Sequence, residues 1–194
     1  MTTDEPATGT DDVYVVVLAG GTSRRFGSDK LAAPLGDSTV LDTVLASLPP
    51  GWPVVAVGPA RATRRPVTWT REDPPGGGPL AGVAAGIALA PTTLVAVVAG
   101  DMPYAGPALA ALVAALRAAS PDVLAVVARD EDGVPNPLLA AYRTNAVREL
   151  LPTPADGRPA KLLLALPHLE LTVTGSAARD VDTPADLDQL GGRR

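Results

Sequence analysis

The chain has 194 residues and a formal net charge of −5, and 46% of it is hydrophobic but only 3% aromatic. Without cysteine it offers no disulfide and no thiolate metal site, and its acidic balance suits no broad nucleic-acid surface. No charge-free apolar run is long enough to span a bilayer and no secretory signal opens the chain, so a cytoplasmic protein without nucleic-acid or membrane partners is expected.

Residues 1–12 are polar, acidic and unpatterned, which predicts a disordered tail. "VYVVVLA" (13–19) is continuously apolar and β-branched and reads as a buried strand. "STVLDTVLASL" places Val40, Leu41, Val44, Leu45 and Leu48 on one helical face, with Ser38 as the candidate cap. "WPVVAVG" is the next strand, followed by an Arg-rich loop and a short strand near 67–69. Three glycines precede "PLAGVAAGIALA", where Pro79 sits just inside a helix. "TLVAVVAG" (93–100) is again a buried strand, "GPALAALVAALRAA" an Ala/Leu helix and "DVLAVVA" a further strand. "PLLAAYR" reads as extended and "TNAVRELL" as helical. A short helix at 160–166, a strand at 169–173, a helix from Pro184 and a loose tail at 191–194 complete the chain. The 21 prolines and 19 glycines fall mainly between these segments. Strands that alternate with helices predict one α/β domain over 13–190, three-layered and Rossmann-like, with a mostly parallel central sheet.

In such a sheet, ligands bind beyond the carboxyl ends of the strands. The first strand runs into "GGTSRRFGSDK", a glycine pair followed by cations, in a chain that is acidic overall. Gly20 and Gly21 let the backbone turn its N–H groups toward an oxygen-rich ligand, and Arg25 and Lys30 add fixed positive charge. Neither the Walker spacing nor G-x-G-x-x-G is present. The pattern L-A-G-G-x-S-x-R-F-G-x-D-K resembles the signature loop of molybdenum cofactor guanylyltransferases and related nucleotidyltransferases. Leu18, Ala19, Gly20, Gly21, Ser23, Arg25, Phe26, Gly27, Asp29 and Lys30 carry that resemblance. It implies the nucleotidyltransferase version of the fold and a loop that wraps a nucleotide triphosphate, with Arg25 and Lys30 on its oxygens.

Three further blocks resemble the same family. "REDPPGGGPLAG" implies that Asp73 contacts the base and that Gly78 and Gly82 line its pocket. A carboxylate suits guanine because it accepts from N1–H and the exocyclic amine together. "GDMPY" implies Mg²⁺ on Asp101, an ion that takes one or two protein carboxylates plus phosphates and water. "RDVDTPADL" places Asp180 and Asp182 two apart, on one side of an extended backbone, before Thr183 as cap, Pro184 at the first helical position and Asp186 at the third. The two aspartates read either as the second metal ligand or as helix-terminus charge. Guanylyl-transferring members more often show N-x-N-T-P at this place, and D-x-D-T-P is closer to cytidylyl-transferring relatives.

"PNPLLAAYR" resembles the strand that borders the family's acceptor site; Asn136 there reads either as an acceptor contact or as part of an Asn-Pro turn. Arg158 and Lys161 read as acceptor-phosphate ligands or as surface cations. The resemblance implies GMP transfer from GTP to the terminal phosphate of molybdopterin, with Mg²⁺ and with release of pyrophosphate. CMP transfer from CTP, another phosphorylated acceptor, or a silent nucleotide-binding accessory protein are the alternatives. A terminal phosphate is already largely ionised at neutral pH, so no general base is required, and no histidine or serine constellation is present.

Overall fold

The computed structural model describes residues 12–21 and 26–191. Most of the expected N-terminal tail, residues 192–194 of the C-terminal one, and Ser23 and Arg25 of the glycine-rich loop lie outside the described residues.

Among the described residues, nine strands and five α-helices follow in the order β1 (Val13–Leu18), β2 (Pro34–Leu35), β3 (Ser38–Thr39), α1 (Val40–Ser47), β4 (Val54–Val57), β5 (Thr68–Thr70), α2 (Pro79–Ala88), β6 (Leu94–Ala99), α3 (Gly106–Ala118), β7 (Ala125–Arg129), β8 (Pro135–Arg143), α4 (Thr144–Leu150), β9 (His168–Thr172) and α5 (Pro184–Gly191). Short 3₁₀ helices lie at Lys30–Ala32, Ala160–Ala165 and Gly175–Ala178. The seven long strands form one sheet in the order β5-β4-β1-β6-β8-β7-β9, and β2 pairs with β3 as a separate hairpin.

The sheet is parallel except at β8, which runs antiparallel to both β6 and β7. Its cause is local. A turn at 130–134, closed by Asp130 accepting from Val134 N at 2.7 Å, returns the chain directly from β7 to β8. A connection that short can only join antiparallel strands.

Both sheet faces are covered, which is why the strands are apolar without a polar alternation. Val13, Val15 and Val17 join a core with α1 and α3, whereas Val16 joins a second core with α2, α4 and Leu163. Helix α1 is capped by Thr39, whose Oγ1 accepts from Asp42 N at 3.1 Å. The expected cap, Ser38, is instead paired with Leu35 in the β2–β3 hairpin, which moves the helix start one residue on. None of the helices among the described residues is long and apolar enough to cross a membrane.

Helix α2 lies very close to the sheet, and this carries its amino end to the sheet's carboxyl edge. A Cβ on Gly86 would sit 2.5 Å from Val16 Cγ1, so only glycine fits there without a shift. Gly86→Ala is expected to lower the melting temperature. Helix propensity favours alanine by up to about 1 kcal/mol, but overpacking of a filled core costs about 1–3 kcal/mol. An unchanged or raised melting temperature would show that α2 lifts from the sheet freely.

Candidate functional site

The chain builds β1, β4 and β5 outward in one direction, then crosses back to add β6 on the other side of β1. The carboxyl ends of β1 and β6 therefore diverge at a switch point, where an open α/β sheet leaves a crevice. A cleft of about 470 Å³ lies there. Leu18, Val57 and Ala99, the last residues of β1, β4 and β6, form its apolar floor. Gly20 and Gly21 edge it on the β1 side, and Gly78, Pro79 and Gly82 bring the first turns of α2 to the opposite wall. No side chain caps the start of α2, so its first backbone N–H groups are available to an anion.

Lys30 and Asp101 make one charged wall. Lys30 Nζ donates to Asp101 Oδ2 at 2.5 Å and to Asp182 Oδ1 at 3.1 Å. Burial works to lower the ammonium's pKa, but its hydrogen bonds and charge pairs with Asp101 and Asp182 outweigh it and hold the pKa above the usual value. The segment carrying Asp182 is tied to the edge of β6 by Val181 N, which donates to Asp101 O at 2.8 Å. Val181 is fully buried, so Asp180 and Asp182 on either side of it turn toward Asp101. One carboxylate oxygen from each of Asp101, Asp180 and Asp182 lies within 4.8 Å of the others. Partial burial, then the charges of Asp101 and Asp182, raise the pKa of Asp180. Asp101 Oδ1 is buried and accepts no hydrogen bond among the described residues. A buried carboxylate oxygen without a donor is costly, and three hard oxygens around it form a donor set that suits a small divalent cation.

Behind the cluster, Asp186 Oδ2 accepts from Asp182 N at 3.0 Å and from Thr183 N at 2.7 Å. Thr183 Oγ1 also bonds Asp186, and Pro184 opens the helix. The reciprocal cap expected from "DTPAD" is present and holds the acidic segment against the cleft.

The remaining expected residues are placed unequally. Ala19 is buried at the end of β1 and does not line the cleft. Asp73 is exposed and also outside the lining, whereas its neighbour Glu72 lines the cleft and accepts from Gly76 N at 3.0 Å. Asn136 is near the start of β8, and its Oδ1 accepts from Leu138 N at 2.9 Å, the bond of an Asx-turn over Asn136-Pro137. It borders a second cavity of about 210 Å³ that shares Asp180 with the carboxylate cluster. Arg158 and Lys161 are exposed and line neither cavity.

Two residues that sequence reasoning passed over stand out. Glu72 differs from Asp73 by one position, and no local pattern tells which of the two faces inward. Arg61 reaches across to Asp29 beside Lys30, but it shares its loop with Arg64 and Arg65. Arg65 donates to the carbonyls of Leu45, Leu48, Pro49 and Trp52 and so closes the end of α1. Arginines of such different duty are indistinguishable in sequence.

Comparison with known proteins agrees with this geometry. The family model of the MobA-like NTP transferase domain matches residues 15–170. The chain is 33% identical to a "Probable molybdenum cofactor guanylyltransferase" of Deinococcus radiodurans, over 91% of this chain and 93% of that protein. It is 32% identical to a "Molybdenum cofactor guanylyltransferase" of Mesorhizobium japonicum, over 92% of this chain and 94% of that protein. The crystal structure of "Molybdopterin-guanine dinucleotide biosynthesis protein A" from Archaeoglobus fulgidus superposes with a TM-score of 0.72 at 25% identity, covering 92% of this chain and 97% of that one.

Lys30→Met keeps the length of the side chain and removes the ammonium from Asp101 and Asp182. We expect the variant to lose about 1.5–3 kcal/mol of stability, the range for hydrogen bonds to charged groups. Because the folded pKa of Lys30 is raised, its contribution is fully present below the ordinary 10.5 and is lost only as pH rises through the folded value. Denaturant unfolding of both proteins across pH checks this. A difference that vanishes near neutral pH would remove Lys30 from the cluster's balance.

Proposed function

Since the chain belongs to the MobA-like NTP transferase family, and is a nucleotidyltransferase, we propose that it transfers GMP from GTP to the terminal phosphate of molybdopterin and releases pyrophosphate. The observation that carries this reading is the meeting of Lys30 and Asp101 in a cleft whose other walls are a glycine pair and a helix start. That arrangement suits a polyphosphate on one side and a cation on the other. The acceptor is taken from the names of the relatives, which together match over nearly the whole chain.

Each residue then has a task. Backbone N–H groups at Gly20 and Gly21 and at the start of α2 face the phosphate oxygens. Lys30, with Arg25 on the same loop, neutralises the charge that gathers on the departing pyrophosphate. Gly78 and Gly82 border the base. The carboxylate that accepts from guanine comes from the Glu72–Asp73 pair, of which Glu72 lines the cleft. Asp101, with Asp180 or Asp182, would hold Mg²⁺, and the donor-less buried oxygen of Asp101 fits that role. When bound, the ion supplies neutralisation and polarisation of phosphate oxygens. On the far side of Asp180, the smaller cavity bordered by Asn136 offers room for the acceptor, with Arg158 and Lys161 as exposed cations on the same domain.

A phosphate monoester has its second pKa near about 6, so it is mostly a dianion at neutral pH and needs no base to attack. Positioning and charge neutralisation are then the enzyme's whole contribution, as in phosphoryl transfer generally.

The test is pyrophosphate release from GTP in the presence of molybdopterin, with and without Mg²⁺. Asp101→Asn should lower turnover by about 10²-fold or more while the fold persists, comparable to loss of one strong electrostatic contact. Unchanged turnover and metal dependence would remove Asp101 from the site.

A further inference from the structure

Lys30 is the first residue of a single three-residue 3₁₀ turn, Lys30–Ala32. A turn so short has no helical neighbour to orient it, yet its ammonium must meet Asp101 across the cleft. The orientation comes from its cap. Asp29 Oδ1 accepts from Leu31 N at 3.2 Å, and Asp29 O accepts from Ala32 N at 3.1 Å. The other carboxylate oxygen, Oδ2, accepts from Arg61 Nε at 2.7 Å. That guanidinium also donates through Nη1 to Ala19 O and to Pro59 O, each at 2.9 Å. Arg61 is thus anchored to the end of β1 and to its own loop after β4 while it holds the cap of the Lys30 turn.

The anchor is built closely. Gly58, at the start of that loop, has φ +145°, and a Cβ there would fall 2.5 Å from Ala19 O. The two loops are therefore in backbone contact, which brings Arg61 within reach of Asp29. The Arg61 hydrogen bond, with its charge, holds the Asp29 carboxyl below its ordinary pKa, so the clamp is charged at neutral pH. Arg61 itself neither lines the cleft nor touches Lys30.

We propose that Arg61 is a positioning residue that sets the Lys30 ammonium in the cleft by holding Asp29, the cap of the turn that carries it. The catalytic consequence rests on the nucleotidyl-transfer reading above; the geometric one does not. Lysine at 61 keeps the charge but lacks the planar fork that spans acceptors on three segments. A residue that served only as positive charge near the phosphates would tolerate that exchange.

The experiment compares Arg61→Ala, Arg61→Lys, Asp29→Ala and the Arg61→Ala/Asp29→Ala double variant, each assayed well below its melting temperature. Both alanine variants are expected to lower kcat by about 10- to 100-fold, the cost of misplacing a reacting group by roughly an ångström, with KM for the nucleotide much less affected. Arg61→Lys should behave like the alanine variant, and the double variant should be no worse than the poorer single one. Crystal structures of Asp29→Ala and Arg61→Ala should show Lys30 Nζ displaced from Asp101. Full activity in Arg61→Lys, or additive losses in the double variant, would overturn the proposal. So would a Lys30–Asp101 contact that survives in the variant crystals, whatever the activity. If instead the wild-type protein releases no pyrophosphate, the nucleotidyl-transfer reading fails, and if Lys30→Met turns over like wild type, Lys30 has no part in the reaction; in both cases the crystals still decide the role of Arg61.

Discussion

A part-buried ammonium shared by two carboxylates joins three distant parts of this chain. Lys30 follows the first strand, Asp101 follows the fourth strand of the sheet to be laid down, and Asp182 precedes the last helix. Their meeting closes the polypeptide around the carboxyl edge of the sheet. It also sets the electrostatics of the cleft, where among the described residues Lys30 meets Asp101, Asp180 and Asp182. A cation and a polyphosphate are the ligands we propose for it.

The surrounding architecture serves that meeting. β1 and β6 place Ala99 and Leu18 side by side, so that the loops leaving them must diverge. Helix α2 lies close enough to the sheet for its start to form the opposite wall, at the cost of glycine where Val16 stands. The capping box of α5 fixes the segment that bears Asp182. Even the antiparallel β8 contributes, since its first residues bring Asn136 and Leu138 beside the site.

The layered fold was legible in sequence because β1, β4 and β6 are short, almost unbroken runs of Val, Leu and Ala, with glycine or proline between the segments. The α5 cap was legible because Thr183, Pro184 and Asp186 stand at diagnostic spacing. Asp180 and Asp182 could be placed on one side because a two-residue period survives in extended backbone. Other features depend on contacts that no local pattern encodes. Whether Glu72 or Asp73 faces inward is decided by the path of the 71–78 loop, and Arg61 gains its place only when two loops meet. Thr39 caps α1 instead of Ser38 because a two-residue hairpin claims the serine first.

The most direct test of this account is calorimetric titration of the protein with GTP, CTP and ATP, each with and without Mg²⁺. The account predicts that GTP binds in preference to the other two and that the ion strengthens binding. Preference for CTP would contradict the guanylyl assignment and favour CMP transfer. Failure to bind any of the three would contradict the reading of the cleft as a nucleotide site.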